Sequence, residues 1–125
     1  MTSTGVSYSM GPEWPEPRTI QHWPGLVGSE LANKVATAVA YDGRTGALVS
    51  WGFMVDLDNN DLQTEMLFKL YLDPQHRDAF RDAPTLDEAR MWYRDYLSCL
   101  YQTICQFFSD SFPRWESKNV EFCFR

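Results

Sequence analysis

The sequence predicts an α+β fold: a β-rich meander, followed by a long amphipathic helix and a terminal strand. Three observations carry this. Short β-forming runs punctuated by Gly- and Pro-containing turns fill residues 1–55. Apolar residues between Ala89 and Phe108 recur at three- and four-residue steps. Val120 to Phe124 returns to strand-forming residues. With 125 residues the chain has the size of one domain and is too short for two independent cores and a linker. A hydrophobic content of 44% and a charged content of 22% exclude disorder and low complexity for most of it.

Each element has a local reason. Thr4 to Ser9 is rich in β-formers and predicts a first strand. Met10 to Pro17, with its prolines and glycine, predicts a loop. Arg18 to Trp23 predicts a second strand, closed by Pro24-Gly25, and Lys34 to Tyr41 a third. Asp42-Gly43-Arg44-Thr45-Gly46 is a hairpin turn, because aspartate and glycine tolerate positive φ. Ala47 to Val55 returns as the fourth strand. In the second half, residues 62–112, Leu62 to Leu72 shows helical spacing and stops at Asp73-Pro74. Gln75 to Asp82 is charged and reads as a short exposed helix or loop. Thr85-Leu86-Asp87-Glu88 has the spacing of a capping box, in which hydroxyl and carboxylate satisfy free backbone N–H groups reciprocally. It opens the long helix, which Pro113 ends. Strand-forming residues at both ends of the chain predict a piece of a larger domain, since compact domains usually keep a few free residues there.

Charge and cysteine usage narrow the function classes. Seventeen acidic residues against 11 basic ones give a net charge of -6 at pH 7. The basic residues are scattered, so nucleic acid and anionic membrane are disfavoured as partners. No apolar run is long enough to predict a transmembrane helix, and the N-terminus has no signal-peptide pattern. Cys99, Cys105 and Cys123 form no paired framework, which points to reduced thiols and a cytoplasmic location.

The groups that could carry chemistry are few. Asp56-Leu57-Asp58-Asn59-Asn60-Asp61 begins like a calcium loop. It has Asp61 where the turn needs glycine and Leu67 where a bidentate glutamate belongs, so it reads as a solvated, capping turn. His22, His76 and the cysteines lack zinc spacing: Cys99 and Cys105 are separated by about 600° of helical rotation, a net 240°. Glu13, Glu16 and Glu30 invite an acid–base reading, but paired carboxylates arise by chance in an acidic chain, and a small enzyme using His22, His76 or Glu13 needs those groups to converge in one pocket. Aromatic residues make up 15% of the chain, a large apolar load when a chain of this size hides about two-thirds of its unfolded surface. Either the core is unusually aromatic, or rings such as Trp92, Tyr96 and Phe107 face neighbours outside the chain, with self-association as one consequence.

One ordered series of motifs resembles a known family. Met1-Thr2-Ser3-Thr4-Gly5-Val6-Ser7-Tyr8-Ser9 resembles the tail of the first phosphate-binding loop of actin-like ATPase domains. More narrowly, it resembles divergent, fungal-type relatives of the seventy-kilodalton heat-shock chaperone. Ile20 to Gly25, Lys34-Val35-Ala36-Thr37 with Tyr41, Trp51-Gly52-Phe53, and Phe68-Lys69-Leu70 with Leu72-Asp73-Pro74 resemble later family segments in the family's order. The long helix leading to Val120-Glu121-Phe122 resembles the connector into the next core strand. The resemblance implies an N-terminal fragment of lobe I of a ribonuclease-H-like ATPase domain, with ATP and magnesium as cofactors in full-length relatives. It implies that Thr2 and Ser3 lie beside the β- and γ-phosphates, and that Lys69 is the catalytic lysine that positions water and γ-phosphate. The Asp and Gly that open the family's loop would precede Met1, and the cleft needs a second lobe. The resemblance therefore implies a chain that neither binds nor hydrolyses ATP by itself. The alternative from another class is a cytosolic interaction module that uses an aromatic helix face.

Overall fold

The computed structural model describes residues 2–11, 16–75, 82–116 and 120–123. Among these residues, seven short strands form three antiparallel sheets, and one long helix lies against them. Strand β1 (Ser3–Thr4) pairs with β4 (Val35–Ala36), and β2 (Ser7–Tyr8) pairs with β3 (Arg18–Thr19). In the third sheet β5 (Val39–Asp42) is central, flanked by β6 (Leu48–Trp51) and β7 (Leu62–Glu65).

The expected third strand, Lys34 to Tyr41, is split between two sheets. Its first part belongs to β4 and its second to β5. Between them, the Thr37 N–H donates to the Thr2 carbonyl at 3.0 Å, so the N-terminal arm is stitched to the same stretch that feeds the larger sheet. The β5–β6 hairpin turns where Asp42-Gly43 predicts. The Asp42 carboxylate accepts from the N–H groups of Arg44 (2.8 Å) and Thr45 (3.1 Å), and Gly46 takes φ +73°. Those two bonds hold the exposed Asp42 carboxyl below its usual pKa.

Other expectations need correction. Leu62 to Leu72 is not a helix. Leu62–Glu65 pairs with β5 in the register Val39↔Glu65 to Asp42↔Leu62, and only Leu70–Leu72 forms a single 3-10 turn. The cause lies just upstream. Asp56 and Asn59 each fold back on a backbone N–H two residues later, at 3.0 Å, and Gly43 donates to the Asp61 carbonyl at 2.9 Å. That turn delivers Leu62 to the open edge of β5, where ladder bonds outweigh a short helical period. The second strand is shorter than Arg18 to Trp23, ending at Thr19. Ile20 still donates to the Val6 carbonyl at 2.9 Å, but Trp23 turns inward and its indole N–H donates to the Ala32 carbonyl at 3.0 Å. Finally, residues 120–123 carry no strand pairing, and Phe124 lies outside the described residues.

The fourth strand also stops early. At Gly52, φ is +58°, and a Cβ there would stand 2.8 Å from Val35 Cγ2, so the chain leaves the sheet in a 3-10 turn, Gly52–Met54.

The long helix runs Leu86–Ser111, 26 residues, or about 39 Å. Thr85 and Glu88 close the predicted capping box in both directions, with Asp87 and Glu88 at the positive end of the helix dipole. Ala89, Trp92, Tyr96, Leu100, Ile104 and Phe108 form its buried stripe. They join Ile20, Trp23, Val35, Val39, Tyr41, Trp51 and Phe68 in one core. Trp92 and Tyr96 therefore face inward, contrary to the expectation of rings lacking neighbours, and Phe107 is half-buried against Tyr8. No described helix is long and apolar enough to cross a membrane.

Candidate functional site at the Thr4 and Lys69 cluster

Three polar side chains, Thr4, Thr37 and Lys69, meet beside Tyr96 of the long helix. The Lys69 ammonium donates to Thr4 Oγ1 at 3.0 Å, and the Thr4 and Thr37 hydroxyls share a hydrogen bond of 2.8 Å. Two neighbours fix Lys69. Phe68 on one side is 1% exposed, with its ring 5.8 Å from Tyr96 and 6.2 Å from Tyr93. On the other side the 3-10 turn begins, with Leu72 N–H donating to the Lys69 carbonyl at 3.3 Å. Thr4 is fixed by its ladder with Val35, and Gly5-Val6 links β1 to β2.

The electrostatics follow from burial. Partial burial lowers the Lys69 pKa, because an ammonium loses hydration there. Among the described residues no carboxylate forms an ion pair with it; the ion pair found there joins Arg94 and Asp95. The Tyr96 hydroxyl is fully buried and makes no hydrogen bond of good geometry. Burial raises its pKa, while the neighbouring Thr4 and Thr37 hydroxyls act in the opposite direction.

A cleft of about 1170 Å³ opens from this cluster. One wall is the arm from Thr4 to Gly11, another is the helix from Tyr93 to Phe108, and residues 113–115 and 120–123 line the remainder. The arm runs in the same direction as the helix. Thr4 lies by Tyr96, and farther on the Tyr8 ring stands edge-on to Phe107, Phe108 and Phe112 at 5.6, 5.3 and 6.0 Å. Trp115 tilts on Phe108 at 5.7 Å, with its indole N–H buried and unpartnered.

The predicted site residues are thus partly gathered. Lys69 reaches the Thr2–Gly5 segment through Thr4. Thr2 donates to the Met66 carbonyl at 3.3 Å, and Ser3 sits in the ladder opposite Ala36. His22, Glu16 and Glu30 are exposed and separate, while Glu13 and His76 lie outside the described residues. No group of three His, Cys, Asp or Glu side chains among the described residues could hold a metal ion, and the Asp56–Asp61 segment is an exposed turn. The three cysteines are free, with burial foremost in pushing the Cys99 thiol up. Thr37 and Tyr96 escape sequence reasoning, because their partners lie on other elements. The one available hint was a buried-stripe tyrosine, whose hydroxyl needs a partner.

No family model, curated protein or solved structure matches this chain.

Proposed function

We propose that the chain is part of a heat-shock-chaperone-like ATP-binding lobe, carrying one wall of a phosphate site and lacking ATPase activity by itself. One observation supports this reading. Lys69 and Thr4, 65 positions apart, meet through a 3.0 Å hydrogen bond, so a cation and hydroxyls occupy one place beside the Thr2–Gly5 segment that resembles the phosphate-binding loop. A point charge beside such a loop suits a transferring phosphoryl group, where catalysis is positioning plus electrostatic stabilisation. Clamping a triphosphate and its magnesium also takes groups from an opposing wall. The magnesium would arrive with the nucleotide, and this chain's share is Thr2, Ser3 and Lys69. The competing interaction-module reading would rest on Tyr101, 46% exposed and tilted against Phe122 at 5.6 Å.

Titration of the isotope-labelled chain with Mg-ATP tests the proposal. Amide shifts confined to Thr2–Gly5 and Lys69, unsaturated at millimolar nucleotide and without phosphate release, are expected. Low-micromolar binding with turnover, or shifts elsewhere only, would overturn it.

A further inference from the structure

Thr37 is the member of the Thr4 and Lys69 cluster to which the proposed chemistry gives no task. Among the described residues it is the one polar, non-aromatic side chain that is fully buried, at 0% exposure. Its neighbours in the chain are Val35, Ala36, Ala38, Val39 and Ala40. Valine would suit that run by shape, and a hydroxyl taken out of water costs free energy unless a partner meets it. Both polar groups of Thr37 described here go to the N-terminal arm. Its N–H donates to the Thr2 carbonyl at 3.0 Å, and its hydroxyl meets Thr4 Oγ1 at 2.8 Å. The arm's own ladder is short at this point. Strand β1 has two residues, registered as Ser3↔Ala36 and Thr4↔Val35.

We infer that Thr37 is a positioning residue: it fixes the Thr4 hydroxyl, and through Thr4 it aims Lys69 at the phosphate site. An ammonium only donates, so Thr4 Oγ1 accepts from Lys69 at 3.0 Å, and the Thr4 proton is left for Thr37. Without that second partner the Thr4 hydroxyl is free to leave for another staggered rotamer, and Lys69 loses the acceptor that holds it. Lys69 has three N–H donors, and fixing one on Thr4 leaves two directed at an anion. Tyr96, itself 0% exposed, lies beside both threonine hydroxyls, so bulk water does not stand in for the lost bond. What Lys69 is aimed at rests on the phosphate-site reading. That Thr37 aims it does not.

Thr37→Val and Thr37→Ser separate hydroxyl from shape, and the Lys69 side chain is the reporter. In nuclear magnetic resonance spectra without nucleotide, Thr37→Val should move the Lys69 Cε and Nζ signals toward those of a free lysine. Thr37→Ser should leave them near their wild-type positions. With millimolar Mg-ATP, the shift induced at Lys69 should fall about fivefold in Thr37→Val and be retained in Thr37→Ser. A residue that serves packing alone predicts the reverse order, since valine keeps the methyl that serine lacks. One further measurement needs no variant. In the wild-type chain the Thr37 hydroxyl proton should exchange slowly with water and show a nuclear Overhauser contact to Thr4. Lys69 signals unmoved by Thr37→Val, serine as disruptive as valine, or a fast-exchanging Thr37 hydroxyl would each overturn the inference. A wild-type chain with no Mg-ATP response at Lys69 would overturn the phosphate-site reading instead, and the nucleotide-free spectra would still decide the role of Thr37.

Discussion

The two halves of the long helix are held by different means. The N-terminal half lies against a sheet. Tyr96 meets Trp51 at 5.7 Å and Phe68 at 5.8 Å, and the Tyr41 phenol in β5 donates to the Asp95 carboxylate at 2.7 Å. Burial first, then that bond, raises the Tyr41 pKa and keeps the phenol a donor. Behind these contacts stands a three-stranded ladder. Among the described residues, the C-terminal half has no comparable sheet behind it. Its neighbours are the two-residue strand β2 and an aromatic cluster of Tyr8, Phe112 and Trp115, with the cleft between them. Rings edge to edge supply area without backbone bonds. The first half therefore rests on backbone ladders, and the second on side-chain packing beside an open cleft.

The sharpest way to break this contrast is to remove one ring from each half. Phe68→Ala should destabilise by about 3–5 kcal/mol, as a buried aromatic lost from a core that cannot collapse. It also loosens the turn that aims Lys69. Tyr8→Ala removes three edge contacts but from a half-buried position, so about 1–2 kcal/mol is expected. Chemical denaturation of both variants measures the difference. Equal losses would mean that the halves are equally well packed.

How much of this was legible in the sequence depended on how local the cause was. The capping box, the helix stripe and the Asp42-Gly43 turn all appear where the sequence puts them, because each is decided within a few residues. The Leu62–Glu65 strand was not legible, since its pairing with β5 is a tertiary choice and its four residues suit either period. The division of Lys34 to Tyr41 between two sheets depends on Thr2, 35 positions before Thr37, and no window over the strand contains it. The candidate site divides in the same way. Resemblance singled out Lys69 and its segment, but Thr37 and Tyr96 enter only through contacts across the fold.

Removing the helix cap gives a smaller effect and tests whether the halves are coupled. Thr85→Ala deletes the hydroxyl that accepts from the Glu88 N–H at 3.2 Å, at a cost of about 1 kcal/mol. Hydrogen exchange should rise in the first turns and leave the amides around Ile104 and Phe108 unchanged. Equal acceleration along the helix would show that both halves open as one unit, and the contrast between them would fail.

The smallest expected effect is a pH dependence, and it isolates Lys69. Its folded pKa is lowered by burial, while the unfolded chain keeps the ordinary value of about 10.4. Below the folded pKa both states are protonated, and the folded state carries the full penalty of a poorly hydrated ammonium. Between the two values the unfolded chain binds more protons, so stability rises with pH through that window. Other groups titrate at alkaline pH, among them Tyr96, whose pKa burial raises. They are common to the wild-type chain and Lys69→Met, so the difference between the two melting temperatures cancels them to first order. Lys69→Met should be the more stable at neutral pH, because it removes the desolvated charge and leaves Thr4 its bond to Thr37. The gap should shrink as pH rises toward about 10. A gap that is constant with pH would mean that the ammonium is well hydrated. The positive end of the cleft would then be an ordinary surface lysine, and the two halves of the helix would differ in packing alone.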